Sequence, residues 1–114
     1  MSDKRPSRFA QLKTRASVFS ALGDETRLSV LAKLLGGEPQ SITRLTLGTK
    51  LTRQAVTKHL RVLEDAGVVR SVRVGRESLF ELEPKPIEDV RAYLDQVASQ
   101  WDDALARLKA HVER

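Results

Sequence analysis

The first apolar stripe of the chain predicts a helix over about residues 7–22. Four apolar residues recur there at helical spacing, namely Phe9, Leu12, Ala16 and Phe19. Gly23 interrupts the pattern, and Asp24 is a good N-cap because its carboxylate can accept hydrogen bonds from the unpaired N–H groups of a first turn. A second stripe follows, made of Leu28, Leu31, Leu34 and Leu35 and ended by Gly36 and Gly37. We expect this second helix to be a core element.

A short helix, a break and a longer helix are predicted next, after a connector at residues 38–40. Ser41 is an N-cap candidate for a helix of about two turns that stops at Gly48. After a break at residues 48–51, Thr52 can cap a helix over residues 53–66. Gly67 ends that helix because glycine tolerates the left-handed conformation that follows many helices.

Beyond Gly67 the pattern changes from helical to extended. Residues 68–74 are rich in β-branched side chains, and Val72 and Val74 alternate with polar neighbours. Gly75 and Arg76 then separate this segment from a second one at residues 78–82. This arrangement predicts a β-hairpin.

The last part of the chain predicts one long amphipathic helix over residues 87–113. Its apolar positions follow at intervals of three and four: Ile87, Val90, Leu94, Val97, Trp101, Leu105, Leu108 and Val112. At 1.5 Å per residue such a helix extends roughly 40 Å, more than so small a domain can cover. A continuous apolar stripe can also be plain core, but the length favours a homodimer interface formed by these eight residues together with Phe9, Leu12 and Phe19.

The order of short helix, turn, second helix and hairpin matches a winged helix-turn-helix. The predicted fold is therefore mainly α with a small β-hairpin wing (α+β), as a single domain over residues 1–114. We expect residues 1–8 to form a flexible N-terminal arm. In such a fold the second helix of the pair lies in the DNA major groove, and the wing reaches the neighbouring backbone or minor groove.

The periodicity of the helix at residues 53–66 supports this interpretation. Val56, Leu60 and Leu63 fall within an arc of about 60°, and a separate polar arc of about 140° holds Arg53, Gln54, Thr57, Lys58 and Arg61. The first carboxylates of the helix are Glu64 and Asp65, at its far end. Arg and Lys bind phosphates or guanine edges and Gln can pair with adenine, so this face suits DNA. An idle solvated face is the alternative interpretation.

The predicted DNA-binding residues come from the turn, this helix and the wing: Lys50, Thr52, Arg53, Gln54, Thr57, Lys58, His59, Arg61, Arg73 and Arg76. His59 falls at the edge of the apolar arc, where a packing role is the alternative to a contact with phosphate. Arg73 and Arg76 bracket Gly75 at the tip of the ribbon, and Arg70 lies further along the same strand. Arginines at such a tip suit the minor groove or its phosphates, although arginine is common in loops.

Composition and charge agree with a nucleic-acid partner. The 114 residues are 40% hydrophobic and 31% charged, with a net charge of +5. Between Arg44 and Arg76 eight basic residues face only two acidic ones, whereas residues 84–114 are close to neutral. A concentrated basic patch suggests a polyanion, and a surface that only keeps the protein in solution is the alternative. No apolar run approaches the length of a membrane span, and residues 1–8 lack the apolar core of a signal peptide, so we expect a cytoplasmic protein without a membrane partner.

Two segments resemble the ArsR-type winged-helix repressors. Residues 21–28 (ALGDETRL) look like the opening of that family, and residues 51–69 (LTRQAVTKHLRVLEDAGVV) are similar to its recognition helix and the exit into the wing. The resemblance implies a homodimeric bacterial transcription regulator, usually a repressor released by an inducer, whose first and last helices form the dimer interface. Such a dimer would bind double-stranded DNA at a pseudo-palindromic operator and associate with the nucleoid.

The chain departs from this family in its metal-sensing residues. Many members sense metals through cysteines on the short helix before the recognition helix, but residues 42–47 read ITRLTL and the chain has no cysteine. Other members use Asp and His on the last helix. Here that helix offers Asp95, Asp102, Asp103, His111 and Glu113 without a His-x-x-His or Asp-x-His spacing. We expect no metal site and no cofactor, although a weak site that uses His111 stays open.

The side chains of the chain bear on three classes of function. The chain has two histidines and no nucleophile–base pair, metal cluster or glycine-rich phosphate loop, which argues against an enzyme. A winged helix that uses its basic face on an acidic protein partner is the alternative to a DNA-binding regulator. The signal also stays open: a small organic effector near the dimer helices, a protein effector, or the concentration of the protein itself.

Overall fold

The computed structural model describes residues 7–113 and contains the predicted helices and wing. The helices are α1 (Arg8–Leu22), α2 (Glu25–Ala32), α3 (Ile42–Thr46), α4 (Arg53–Asp65) and α5 (Pro84–Val112), and the strands are β1 (Gln40–Ser41), β2 (Val69–Val74) and β3 (Glu77–Leu82). Most of the predicted N-terminal arm, residues 1–6, lies outside the described part of the chain. The other two residues of that segment, Ser7 and Arg8, are the N-cap and the first residue of α1.

Four of the helices begin at a side-chain cap. The accepting oxygens belong to Ser7 (3.1 Å from the Ala10 nitrogen), Asp24 (2.8 Å from that of Arg27), Ser41 (3.2 Å from that of Arg44) and Thr52 (3.0 Å from that of Ala55). The hydrogen bond from the Arg27 backbone, which outweighs the effect of burial, keeps the pKa of Asp24 below its usual value, and the charges of Arg27 and His59 lower this pKa further. The three caps predicted from the sequence, Asp24, Ser41 and Thr52, are confirmed.

Helix α2 is shorter than the apolar stripe predicts. After Ala32 the N–H groups of residues 33–35 bond to carbonyls three residues earlier, at 3.2, 2.9 and 3.3 Å. This tighter turn changes the direction of the side chains that follow. Leu31 and Leu34 are buried as predicted, but Leu28 and Leu35 are 47% and 63% exposed, so their expected place in the core is wrong.

The wing belongs to a three-stranded antiparallel sheet with the order β1-β3-β2. Val74 pairs with Glu77, so only Gly75 and Arg76 form the hairpin turn. Gly75 has a φ of +62°, which a two-residue hairpin turn needs at its first position. Strand β1 replaces part of the predicted connector and pairs Gln40 with Phe80.

One hydrophobic core joins the elements and holds α4 in place. Its buried members are Val18, Ala21, Val30, Leu31, Leu34, Leu45, Val56, Leu60, Leu63, Val68, Val69, Phe80 and Val90. All three apolar anchors of α4, Val56, Leu60 and Leu63, are fully buried. The orientation of α4 is therefore fixed by packing.

Helix α5 begins three residues earlier than predicted and extends beyond the core. Pro84 lies in its first turn, where the missing N–H of proline does no harm. Val90 is only 5% exposed and Ile87 packs against the core, so these two residues of the predicted interface contribute to the core of the protomer. The radius of gyration is 18.8 Å, against about 13 Å for a compact domain of this length, because the rest of α5 projects outward.

No helix within residues 7–113 combines the length and the apolar character that crossing a membrane requires.

Candidate nucleic-acid interface

The outer face of α4 is the centre of the candidate interface. Arg53, Gln54, Lys58 and Arg61 are exposed, and Thr57 is half-buried beside them. Together with Thr52 and Ala55, these residues line an open depression on the surface. The structure thus brings the predicted polar arc together on one solvent-facing surface, opposite the buried anchors.

The charge on this outer face is of one sign. The first carboxylate along α4, Glu64, accepts a hydrogen bond from the Ser71 hydroxyl of β2. This contact joins the end of α4 to the wing, and periodicity gave no signal for it because the two residues lie in different elements. The outer face therefore offers three cations and two neutral hydrogen-bonding groups without a carboxylate to repel phosphate.

The two threonines of the interface have different chemistry. Thr57 donates its hydroxyl proton to the Arg53 carbonyl at 2.8 Å, which leaves its methyl group for contact with a base. The Thr52 hydroxyl accepts the capping bond from Ala55 and keeps its own proton to donate. Thr52 is accordingly suited to a phosphate oxygen and Thr57 to an apolar contact such as a thymine methyl group.

Lys50 lies on the turn between α3 and α4 and is exposed beside the N-terminus of α4. The turn has a defined shape: Gly48 has a φ of +75°, and the Thr49 hydroxyl bonds to the Thr46 carbonyl at 2.7 Å. The Leu51 N–H then donates to that same hydroxyl at 3.2 Å. Lys50 therefore adds a cation where the helix dipole already favours an anion.

The wing separates its three arginines into two groups. Side chains alternate along a strand, so Arg73 lies on the same side of β2 as Ser71 and the buried Val69, which is the side that meets α4. Arg76 is exposed in the hairpin turn. Arg73 and Arg76, the two wing residues predicted to bind DNA, are thus available for contact with a ligand that binds α4.

Arg70 lies on the opposite side of β2 and is already paired. Its guanidinium is 2.6 Å from a Glu81 oxygen and 3.4 Å from a Glu83 oxygen. The hydrogen bond that Arg70 donates to Glu81 and the two negative charges raise the pKa of Arg70. The structure places Arg70 outside the candidate interface.

His59 is also outside this surface. It is half-buried at the inner edge of α4, and its charge contributes to the lowered pKa of Asp24, the N-cap of α2. This position agrees with the packing alternative, and the DNA contact of His59 stays a prediction. The angular position of His59 next to the apolar arc was the signal for the packing alternative.

A second exposed surface lies on α1 and α5, and it is apolar. Phe9 and Leu12 are 79% and 47% exposed, and the residues of α5 that share this exposure are Leu94, Trp101, Leu105, Leu108 and Val112. We call these seven residues the apolar surface. Val97 is half-buried. Phe19 is 37% exposed, and its ring meets the Tyr93 ring edge-on with 6.3 Å between the ring centroids. Part of Phe19 therefore packs within the protomer.

Comparisons with known proteins identify the family. Residues 22–72 match a family model described as a helix-turn-helix domain. The chain is 36% identical over 80 residues to an uncharacterized HTH-type transcriptional regulator, YuzN of Bacillus subtilis, and the alignment covers 65% of this chain and 87% of the relative.

Solved structures show the same likeness. An ArsR-like transcriptional regulator from Rhodococcus sp. RHA1 matches with a TM-score of 0.79 and 36% identity, over 88% of this chain and 93% of that one. A homodimeric winged helix-turn-helix DNA-binding domain from Mycobacterium bovis matches with a TM-score of 0.66 and 22% identity, over 88% and 92%. The relatives are regulators, in agreement with the expectation that the chain is not an enzyme. The chain belongs to the ArsR-type winged helix-turn-helix transcriptional regulators.

Proposed function

We propose that this regulator is a homodimeric repressor that binds a pseudo-palindromic operator and occludes a promoter. The observation that carries the proposal is the outer face of α4, which exposes three cations without a carboxylate while three buried anchors fix its orientation. In this docking, Arg53, Gln54, Thr57 and Lys58 meet base edges or nearby phosphates. Lys50, Thr52 and Arg61 bind the backbone, and the wing is placed by Arg73 and Arg76.

The apolar surface supports the dimer. Trp101, Leu105 and Leu108 are 64%, 55% and 59% exposed on a helix that extends beyond its own core. Large contiguous apolar patches are uncommon on monomers, since water contact with each Å² of apolar area costs about 25 cal/mol. The similar domain from Mycobacterium bovis is described as homodimeric. A two-fold axis between the α1 and α5 helices of two copies would cover this surface and present two α4 helices to one duplex.

The proposed signal does not involve thiol-bound metal, because the chain has no cysteine. An open cleft of about 370 Å³ lies between α1 and α5, with Val18 and Val90 among its lining residues and Arg15 and Lys85 as its cations. This cleft adjoins the helices of the proposed dimer interface, so a small organic effector bound there could change how the two subunits pack against each other. We place the repressor in the bacterial cytoplasm, associated with the nucleoid.

A gel-shift experiment tests the proposal. The probe is a duplex that covers the DNA upstream of the chain's own gene, with excess nonspecific competitor. We expect a discrete complex whose association constant falls steeply with salt. Gln54→Ala and Thr57→Ala should reduce the preference for this duplex over competitor, whereas Arg76→Ala should weaken binding to both DNAs by a similar factor.

Arg70→Ala is the matched control for Arg76→Ala, because Arg70 is an arginine of the same wing that is paired with Glu81 and Glu83. It should leave binding unchanged. Absence of a discrete complex would contradict the proposal and favour the acidic protein partner. If Gln54→Ala, Thr57→Ala and Arg76→Ala all kept the affinity and the selectivity of the wild type, the proposed docking would be contradicted.

A further inference from the structure

Lys33 joins three elements of the DNA-binding half of the molecule. Its backbone ends α2, and its carbonyl accepts a hydrogen bond from the Gln40 side chain of β1 at 2.7 Å. Its ammonium nitrogen lies 3.0 Å from the Leu45 carbonyl and 2.7 Å from the Leu47 carbonyl. Lys33 therefore holds the end of α3, which is the beginning of the turn that leads into α4.

The ammonium satisfies carbonyls that the backbone leaves unpaired. The Thr43 and Arg44 carbonyls accept from the Leu47 N–H, and the Thr46 carbonyl accepts from the Thr49 N–H. Within the described residues, no backbone bond of the turn ends on the Leu45 or Leu47 carbonyl. A cation at this position also interacts favourably with the negative end of the α3 dipole.

We propose that Lys33 is a positioning residue for DNA binding: it fixes the turn ahead of α4, so that operator affinity depends on Lys33 although Lys33 does not touch DNA. This proposal rests on the proposed function. Three structural steps support it. The ammonium holds Leu47, the turn continues through Thr49 and Leu51 by the Thr49 hydroxyl, and Thr52 then caps α4.

The proposal also separates Lys33 from the cations that contact phosphate directly. An exposed cation that binds phosphate changes the salt dependence of binding, by about 0.9 in the slope of log K against log salt per phosphate contact. A cation that is bonded to two backbone carbonyls and contacts no phosphate does not change the slope in this way. The slope therefore distinguishes a positioning role from direct contact.

The test compares Lys33→Met with Lys50→Met on the upstream duplex at several salt concentrations, at a temperature where both variants are fully folded. Lys50 is the matched control because it lies on the same turn and is exposed. We expect Lys33→Met to lower operator affinity about tenfold at every salt concentration with an unchanged slope. Lys50→Met should reduce the slope by about 0.9. Lys33→Arg keeps a charged donor and should restore most of the affinity.

Hydrogen exchange on the free protein gives a readout that needs no DNA. We expect the Thr49 and Leu51 amides to exchange faster in Lys33→Met than in wild type, while amides in the centre of α5 are unchanged. A reduced slope for Lys33→Met would overturn the positioning role, as would wild-type affinity or unchanged exchange at Thr49 and Leu51. A wild-type protein that binds no DNA would instead contradict the proposed function, and the exchange result would still decide whether Lys33 fixes the turn.

Discussion

Helices α4 and α5 are both amphipathic, but they expose opposite faces. Helix α4 buries Val56, Leu60 and Leu63 completely and turns its cations to solvent, whereas the outer part of α5 exposes Trp101 and Leu105 by more than half. An exposed polar face needs no partner for stability, so its composition carries the information about function. An exposed apolar face is unfavourable in water, so its exposure itself indicates a partner. The two proposed partners, DNA for α4 and a second copy of the chain for α5, thus rest on different physical arguments.

The largest effect is expected from substitutions that break the proposed dimer contact of α5. Leu105→Glu combined with Leu108→Glu places four charges in the proposed homodimer interface, two from each subunit, each at a cost of about 1 kcal/mol or more. The dimer dissociation constant should rise about 1000-fold, which sedimentation equilibrium would measure. Ser99→Glu combined with Ala110→Glu is the matched control, because these residues lie on the opposite side of the helix. Equal dissociation constants for the two double variants would place the dimer interface elsewhere.

The next effect concerns the cations of α4. Arg61→Ala should lower operator affinity about tenfold and reduce the salt slope by about one phosphate contact, since a hydrogen bond to a charged group contributes roughly 1.5–3 kcal/mol. Fluorescence anisotropy of a labelled duplex measures both quantities. Arg70→Ala serves as the control and should bind within about twofold of wild type. If Arg70→Ala lost more affinity than Arg61→Ala, the wing would dock by its other side.

A third prediction divides α5 into a part inside the protomer and a part outside it. Val90 is 5% exposed and Val112 is 73% exposed. Val90→Ala should lower the free energy of unfolding by about 2 kcal/mol, because it removes two buried methyl groups and leaves a cavity. Val112→Ala should change the free energy by less than about 0.5 kcal/mol at a concentration where the protein is monomeric. Urea unfolding gives both values, and equal losses would contradict this division.

The smallest effect is expected at the start of α4. Thr52→Ala removes the oxygen that accepts the Ala55 N–H and should lower the free energy of unfolding by about 1 kcal/mol. Thr52→Ser keeps the hydroxyl and should retain most of the stability. Thermal unfolding followed by circular dichroism compares the two. If Ser and Ala destabilised the protein equally, the methyl group rather than the cap would matter at this position.

Sequence periodicity predicted the longer helices and the wing because each carries a repeated pattern over several turns or residue pairs. The short α3 was indicated by its N-cap, Ser41, and by Gly48. Strand β1 has only two residues and exists through its pairing with Phe80 and Leu79, so no local pattern could show it. The end of α2 and the burial of Val90 depend on how helices pack, which periodicity does not contain. Periodicity describes which residues share a face, and packing decides what that face meets.

Periodicity has the same limit at the candidate interface. The outer face of α4 was readable because five polar residues share one arc. The roles of Arg70 and Lys33 were not, since their partners lie 11 to 14 residues away in the chain. Arg27 is similar: its guanidinium donates to the Ser20 and Ala21 carbonyls at the end of α1. Part of the positive charge of the chain therefore bonds to groups of the protein itself.

Hydroxyl-radical footprinting on the duplex identified by gel shift tests the central claim most directly, because it reports on the dimer and the α4 helices together. A homodimer with two α4 helices in successive major grooves should protect two segments on one face of the duplex. These segments should be related by two-fold symmetry and separated by a whole number of helical turns, each about 10.5 base pairs. A single protected segment, or no protection at protein concentrations that saturate the gel shift, would contradict the account.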